Sequence, residues 1–213
     1  MMKQHKYKTI ITTLITLVPT LIGCILWTEL PNKIATHFGA DNAANGWSSK
    51  GFTVFGIPPL LAVIHLICLF ASSADPKFKD MGKKASGIIF WIIPSISLFT
   101  GTLIYATALG IDTDIGLFVR LFFGILFVVL GNLLPKARQN HFLGIKVPWT
   151  LCDEENWNRT HRLAGWLMVL AGMAMIATAF LQTAWIVLAA LATSTFIPII
   201  YSYVHYKRHH SDT

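Results

Sequence analysis

Apolar residues occur along this chain in six long runs that are separated by short polar segments. Each run has about 20 residues, the length that an α-helix needs to cross the hydrocarbon core of a bilayer. The pattern therefore predicts an all-α, polytopic membrane protein, a bundle of six transmembrane helices. The runs are Thr9–Trp27, Phe52–Ser73, Ser86–Leu109, Gly116–Leu134, Arg162–Leu181 and Ala184–Tyr206.

The composition supports a chain that is embedded in lipid. Hydrophobic residues make up 54% of the 213 residues and charged residues 13%, whereas a soluble domain averages about 45–50% apolar and roughly 25% charged residues. This argues against a cytosolic enzyme or a secreted module. The three cysteines have neither a disulfide-type nor a metal-binding spacing. Because we also find no nucleophile–base pair, phosphate loop or metal cluster, we predict no enzyme activity, no metal and no cofactor.

The positive charges indicate how the helices are oriented. All but three of the 17 lysine and arginine residues fall in the two tails, the second loop and the fourth loop; the exceptions are Lys33, Lys50 and Arg120. Basic residues accumulate on the cytoplasmic side of a membrane, so we expect a multi-pass protein of the bacterial inner membrane with both termini cytoplasmic. The net charge of +7 then reflects topology, and we predict no direct nucleic-acid partner beside the lipid bilayer.

The first span has a second possible interpretation. The segment that ends at Cys24 resembles a lipoprotein cleavage box. The apolar run continues to Trp27, however, which favours an uncleaved first span over lipidation of Cys24.

Small residues recur at intervals of seven in the fourth and fifth spans. Gly124 and Gly131 lie in the fourth span, and Gly165, Gly172 and Ala179 lie in the fifth. Seven residues return to nearly the same face of a helix, and small residues mark the faces where helices approach closely in lipid. We therefore expect these two spans to pack against each other or against a neighbour.

Two polar residues within the spans need partners. Arg120 lies near the start of the fourth span, just after Asp112 and Asp114, so snorkelling toward these aspartates is the favoured arrangement. His65 lies deeper, in the second span. A neutral histidine that is hydrogen-bonded to a neighbouring helix is favoured over a proton relay, because the sequence places no clear acidic group at similar depth.

The first outer loop is rich in residues that fix turns and anchor the chain at an interface. Trp47 fits an interfacial anchor. His37 and Asp41 are possible metal ligands, but two candidates do not make a site, and a structural turn is favoured. A loop of this kind can also receive a ligand from outside. Its candidate contact residues are Pro31, His37, Phe38, Gly39, Asp41 and Trp47.

The fourth loop, predicted to be cytoplasmic, is the most distinctive segment. Thr150 followed by Asp153 resembles a capping box, which predicts a helix from Leu151. Trp157 and His161 are four residues apart and share a helix face. An interfacial helix that continues into the fifth span is favoured over a docking surface for a cytoplasmic protein. The docking candidates are Asn132, Asn140, Gly144, Lys146, Pro148, Trp149, Thr150, Trp157, His161 and Arg162.

Both loops carry a family resemblance. The motif in and around the fourth loop comprises Gly131, Asn132, Asn140, Gly144, Ile145, Pro148, Trp149, Thr150, Trp157, Thr160, His161, Arg162 and Gly165. It resembles the signature of the SdpI family of small bacterial membrane proteins. The Leu30-Pro31, Thr36-His37-Phe38-Gly39 and Gly46-Trp47 segments resemble the short N-terminal domain of unknown function that often accompanies it. One departure is Lys146-Val147, where the family pattern has arginine and then a small polar residue. If a partner contacts this position, the partner or its affinity can differ here, because lysine does not replace a bidentate arginine.

The resemblance implies a domain division and a function. A two-span region, 1–85, would carry the outer loop, and a four-span region, 86–213, would carry the signature loop at 135–162. The family resemblance implies immunity to a secreted antimicrobial peptide toxin, met on the outer face or in the bilayer. It also implies a membrane receptor that sequesters a cytoplasmic winged-helix transcriptional repressor.

A short internal echo supports an alternative function. Leu30-Pro31 precedes His37-Phe38 by the same spacing as Leu134-Pro135 precedes His141-Phe142. Each copy follows a span, and three spans separate the copies, so they would face opposite sides of the membrane. This is the arrangement of an inverted 3+3 repeat, which many small secondary transporters use.

Overall fold

The computed structural model describes residues 5–74, 83–141, 143–181 and 185–210. Within these ranges, six helical segments are long and apolar enough to cross a membrane, which confirms the predicted all-α membrane protein. Lys3, Lys77, Lys79, Phe142 and Ala184, on which parts of the topology, echo and sixth-span predictions depend, lie outside the described residues. The sidedness of the termini stays a prediction.

The helices and strands follow one another in a simple order. The N-terminal elements are α1 (Lys6–Ile25), β1 (Lys33–Phe38), β2 (Ala44–Ser49), α2 (Lys50–Phe55), α3 (Ile57–Ala74) and α4 (Lys83–Ala108). The later elements are α5 (Ile115–Leu133), a 3₁₀ turn (Leu134–Lys136), α6 (Pro148–Cys152), α7 (Glu154–Ala177) and α8 (Trp185–His210). The short α2 and α3 together form the second candidate span, Lys50–Ala74.

The chain folds as two compact units. The first comprises residues 1–73 and 87–116, and the second comprises residues 74–86 and 117–213. Each unit contains three of the candidate spans. This division groups α4 with the N-terminal helices, whereas the sequence-based division at residue 85 groups it with the later ones. The reason is side-chain contact: the Tyr105 hydroxyl of α4 donates to the Pro19 carbonyl of α1 at 2.9 Å.

The first unit contains an element that the sequence analysis did not predict. Residues Lys33–Phe38 and Ala44–Ser49 form an antiparallel β-hairpin where only turns were expected. One side of the hairpin packs on the helices, because Ile34 joins a buried cluster with Leu30, Val54 and Tyr105. Burial of apolar area in this cluster holds the hairpin against the first unit.

The second unit confirms the predicted packing of glycine-bearing helices. A methyl group placed on Gly165 of α7 would lie 2.6 Å from the carbonyl oxygen of Gly131 of α5. One placed on Gly172 would lie 2.5 Å from the carbonyl oxygen of Gly124. The two backbones therefore touch at both glycine pairs, which we call the glycine seam. Such contacts supply the van der Waals packing that holds helices together in lipid.

The predicted helix start at Leu151 is wrong, because a short separate helix, α6, contains Leu151 and α7 begins at Glu154. Thr150 belongs to the five-residue α6, and its hydroxyl group donates to the Ile145 carbonyl at 2.7 Å. The N-cap of α7 is instead Asp153, whose side chain accepts from the Asn156 N–H at 3.1 Å. Glu154 and Glu155 follow in the first turn, where negative charge interacts favourably with the positive end of the helix dipole.

Candidate functional site

The hairpin is fastened to its unit at its base. Lys50 Nζ donates to the carbonyl oxygens of Trp27 and Leu30 at 3.0 and 2.9 Å. These carbonyls lie in the segment between α1 and β1. Lys50 therefore joins the start of α2 to the segment that leads into the hairpin.

The hairpin is also fastened at its tip, by Asn42. This residue has a φ of 63°, which its short polar side chain tolerates better than most residues do. Its Nδ2 donates to Asp114 Oδ1 at 2.8 Å, and its Oδ1 accepts from the Gly116 N–H at 2.7 Å. Both ends of one amide thus bind the segment that follows α4.

Replacing Asn42 with alanine should loosen the hairpin tip. The variant loses two hydrogen bonds and keeps a Cβ at a positive φ without the polar group that stabilises this conformation, so we expect a local destabilisation of about 2–4 kcal/mol. Asn42→Gly keeps the backbone conformation accessible and should lose only the hydrogen-bond contribution, about 1–3 kcal/mol. Hydrogen exchange of amides 33–49 measures both. Wild-type protection in the alanine variant would contradict the prediction.

The side of the hairpin away from the helices is open. Trp47 is 59% exposed and lies opposite Ala35 in the strand pairing. Pro31, His37 and Asp41 are also exposed, whereas Phe38 and Gly39 are half-buried. The candidate contact residues thus lie in the hairpin or, for Pro31, directly before it, and Trp47 is a large exposed apolar side chain among them.

His37 and Asp41, the candidate metal ligands, each have a partner within the hairpin. A ring nitrogen of His37 is hydrogen-bonded to Asn45, and Asp41 accepts from the Ala43 N–H at 3.1 Å. Among the described residues, no three potential ligands converge on one point. These contacts give both side chains a role in shaping the hairpin turn.

The signature loop is built around Trp157 and His161 of α7. Their rings stack at a centroid distance of 3.9 Å, which confirms the predicted shared face, and both side chains are fully buried. The Ile145 N–H donates to His161 Nε2 at 3.0 Å, so Nδ1 must carry the proton shared with the Trp157 carbonyl at 2.8 Å. Trp157 Nε1 donates to the Ala137 carbonyl at 2.9 Å. The loop is therefore folded back onto α7.

Gly144 allows this close return of the loop. Its φ is 121°, a conformation that side-chain-bearing residues rarely adopt. A Cβ built on it would overlap His161 and touch the Trp157 ring. The glycine of the signature is thus required by backbone geometry and by the stacked rings beneath it.

Two polar side chains, Asn140 and Gln139, hold the rest of the loop in place. Asn140 bonds the Leu143 N–H at 2.6 Å and the Arg138 carbonyl at 2.8 Å. Gln139 donates to the Thr150 and Leu151 carbonyls at 2.9 and 3.0 Å. Such complete pairing is what a buried polar segment requires. The described residues of this segment, 137–141 and 143–147, therefore have a defined structure despite having no regular secondary structure.

Ser202 connects the loop and α7 to α8. Trp149 Nε1 donates to its hydroxyl group at 2.8 Å, and Asn156 Nδ2 donates to its carbonyl oxygen at 2.9 Å. Thr160 in turn donates to Asn156 at 3.0 Å. The loop, α7 and α8 thus form one hydrogen-bonded network.

This network changes the interpretation of the docking candidates. Asn140, Thr150, Trp157 and His161 are buried, and Gly144 and Trp149 are half-buried. The buried four cannot contact a docked protein in this conformation, because their surfaces and hydrogen-bonding groups are used inside the second unit. The exposed candidates are Asn132, Lys146, Pro148 and Arg162.

The two intramembrane polar residues differ in outcome. His65 Nε2 lies 2.9 Å from the Thr12 hydroxyl of α1, as expected for a hydrogen bond to a neighbouring helix. Arg120 is only 6% exposed, which contradicts the predicted snorkelling. Its Nε donates to the Ala179 carbonyl at 2.8 Å, just beyond the end of α7, where backbone carbonyls lack helical partners.

Several positioning residues were missed by the sequence analysis. Asn42 follows Asp41 at a turn, a pair typical of positive-φ positions, so its conformation was readable but its partners were not. Asn156 lies four residues before Thr160, a spacing that places both on one face. The contacts of Gln139 and Ser202 have no local signal, because their partners are remote in the chain.

Comparisons with known proteins agree with this architecture. Residues 136–202 match the SdpI/YfhL protein family, and residues 14–62 match a domain of unknown function, DUF1648. The chain is 28% identical over 205 residues to the immunity protein SdpI of Bacillus subtilis (strain 168), covering 94% of this chain and 97% of that protein. No solved structure gives a match. The first match contains most of the signature network and the second contains the hairpin. The chain is therefore a multi-pass membrane protein that is similar to SdpI along almost its whole length.

Proposed function

We propose that this protein protects a bacterium against a secreted antimicrobial peptide toxin. The observation that carries the proposal is its similarity, along almost the whole chain, to a protein named for immunity. The six candidate spans suit an action at the membrane that the toxin must reach. No covalent chemistry is needed, because a toxin held on the protein is withheld from its target by mass action.

The hairpin is the toxin-contact surface in this proposal. It is fastened at its base by Lys50 and at its tip by Asn42, so little ordering entropy is lost when a peptide binds. The low number of basic residues in this loop supports an outer position by the charge rule. Exposed Trp47 supplies the kind of aromatic surface that dominates binding energies.

The test is survival of a toxin-sensitive bacterium. Cells that express this chain should grow at toxin concentrations that kill cells carrying the empty vector. Membrane extracts probed with an epitope tag show that the protein is present. Equal killing of both strains at equal protein levels would refute the proposed immunity.

Replacing Trp47 with alanine should reduce protection without reducing the amount of protein. Truncation of a central aromatic contact typically costs about 2 kcal/mol or more, so we expect the toxin concentration for half-survival to fall at least about tenfold. Trp185→Ala is the matched control, because Trp185 is 76% exposed and lies in the second unit. Equal protection by both variants would place toxin binding elsewhere.

A cytoplasmic transcriptional repressor is the finer part of the proposal. The charge rule supports a cytoplasmic position for the signature loop. The exposed side of α7 carries a groove of about 870 Å³ whose lining includes Glu154, Asn158 and Arg159. Arg159→Glu in this groove should release a co-encoded repressor from the membrane, and Lys33→Glu on the hairpin should not. Unchanged recruitment in both variants would remove this surface from consideration.

The transporter alternative is supported by the grouping of three candidate spans in each unit. The echo itself gives little support, because Lys33–Phe38 is a strand whereas residues 137–141 have no regular secondary structure. Flux of labelled peptide or small solutes into proteoliposomes distinguishes the two functions. A transmembrane gradient built by the purified chain would favour transport over capture.

A further inference from the structure

A second surface groove lies over the glycine seam, between α5 and α7. It has a volume of about 300 Å³, and its polar end is formed by Asn132, Lys136 and Arg162. Trp166 and Val169 form its side, and the backbone at Gly131 and Gly165 forms part of its lining. Its volume equals roughly ten waters of liquid, enough for a phosphodiester and the carbons attached to it.

The charge of this groove suits an anion. Lys136 and Arg162 are both exposed, and the groove lining includes no carboxylate. Within the described part of the chain, neither cation has an ion-pair partner. By contrast, Arg159, on the same helix as Arg162, is paired with Glu155 at 2.7 Å. Two unpaired cations are thus concentrated at one end of the groove.

The location of the groove suits a lipid. Lys136 is the last residue of the candidate span Ile115–Lys136, and Arg162 directly precedes the apolar part of α7. Both cations therefore lie at the level where a span meets the headgroup region. Trp166, 66% exposed, follows Arg162 by one turn, and tryptophan favours this interfacial depth.

The surface beyond the groove is apolar along both helices. Leu170 and Met173 continue the exposed face of α7 after Trp166, and Ile125 and Val129 are exposed on α5. Residues three or four apart share a helix face. A molecule with its anionic group between Lys136 and Arg162 would therefore have an apolar path for a hydrocarbon chain. A soluble phosphate or phosphopeptide would leave this path unused.

We propose that the groove binds an anionic phospholipid, with its phosphate between Lys136 and Arg162 and an acyl chain along α5 and α7. Arg162 supplies a planar donor group that suits phosphate oxygens, and Lys136 supplies a point charge. Gly131 and Gly165, where the two helix backbones touch, form part of the groove lining. Arg162 and Trp166 also line the groove on α7 described above, but the lipid proposal does not depend on toxin binding or on a repressor.

Lipid binding is measured by native mass spectrometry on the full-length purified protein. Dioleoylphosphatidylglycerol and dioleoylphosphatidylcholine are titrated separately, and inorganic phosphate is added in a third series. The test variant is Lys136→Gln/Arg162→Gln. The control variant is Arg138→Gln/Arg159→Gln, which removes two exposed cations outside this groove. A charge-preserving variant, Lys136→Arg/Arg162→Lys, separates loss of charge from loss of structure.

Each surface cation contributes about fivefold to the binding of an anionic lipid, so removing both should weaken phosphatidylglycerol binding about 30-fold. Phosphatidylcholine binding, the control variant and the charge-preserving variant should stay within about twofold of wild type. Equal affinity of the wild type for the two lipids would overturn the proposal. Equal weakening by the control variant would also overturn it, as would displacement of phosphatidylglycerol by millimolar phosphate.

The contact itself is checked by fluorescence quenching. Phosphatidylglycerol with brominated acyl chains should quench the emission of Trp166, measured as the difference between wild type and Trp166→Phe. Brominated phosphatidylcholine at the same mole fraction should quench it less. Identical quenching by both lipids would show that Trp166 meets only bulk lipid and would contradict a bound anionic lipid.

Discussion

Trp157→Ala is expected to destabilise the second unit by about 3–5 kcal/mol, the range for removing a fully buried tryptophan. The substitution removes the ring stacked on His161 and the hydrogen bond to the Ala137 carbonyl. The expected result is a large fall in the melting temperature in zwitterionic detergent, or loss of the protein from the membrane.

Trp166→Ala is the matched control for this prediction. It removes the same side chain from the same helix, nine residues further on, at an exposed position. Surface substitutions usually change stability by less than about 0.5 kcal/mol, so its melting temperature should stay close to that of the wild type. Equal effects of the two alanine variants would show that the signature network contributes little to folding.

His161→Phe separates stacking from hydrogen bonding in the same network. Phenylalanine keeps an aromatic ring beside Trp157 but leaves the Ile145 N–H without an acceptor. An unsatisfied buried donor costs about 1–3 kcal/mol, so the variant should fall between wild type and Trp157→Ala. Wild-type stability in this variant would assign the effect to the rings alone.

Gly165→Ala should weaken the glycine seam by about 1–3 kcal/mol, and Gly165→Val by more. The added Cβ would lie 2.6 Å from both the Gly131 carbonyl oxygen and Pro135 Cγ. A backbone carbonyl and a proline ring have little freedom to move away, so the helices must separate. Thermal unfolding in a fixed detergent and lipid mixture measures the loss.

Gly87→Ala should not destabilise the protein, in contrast to Gly165→Ala. Gly87 lies in α4, and a Cβ added there has no atom within 4 Å. Alanine favours a helix over glycine by about 1 kcal/mol, so this variant should be neutral or slightly more stable. If both alanine variants shifted the melting temperature alike, close contact at the seam would not be what Gly165 provides.

The sequence predicted features whose signal is local in the chain. The six apolar runs are each visible within about 20 residues. The seven-residue spacing of Gly165 and Gly172 predicted a packing face. The four-residue spacing of Trp157 and His161 predicted that these two side chains share a helix face. Periodicity identifies which residues lie together on a helix, and these features needed no further information.

Features that depend on remote partners were missed or misassigned. The ladder between the strands is irregular between Ala35 and Phe38, which interrupts the alternation that would have identified a strand. Arg120 was assigned to its nearest acidic neighbours, because the Ala179 carbonyl that it binds is 59 residues away. Trp157 and His161 were candidates for a docking surface because a shared helix face does not tell whether a loop folds over it.

The return of the loop onto α7 has a consequence for evolution. Gly144, Trp157 and His161 are in mutual contact. A change at one of these positions is therefore tolerated only with changes at the others. In an alignment of relatives, these three positions should covary strongly. Trp47 is exposed on the hairpin and is free to diversify singly, which would let related proteins keep one scaffold while adapting to different toxins.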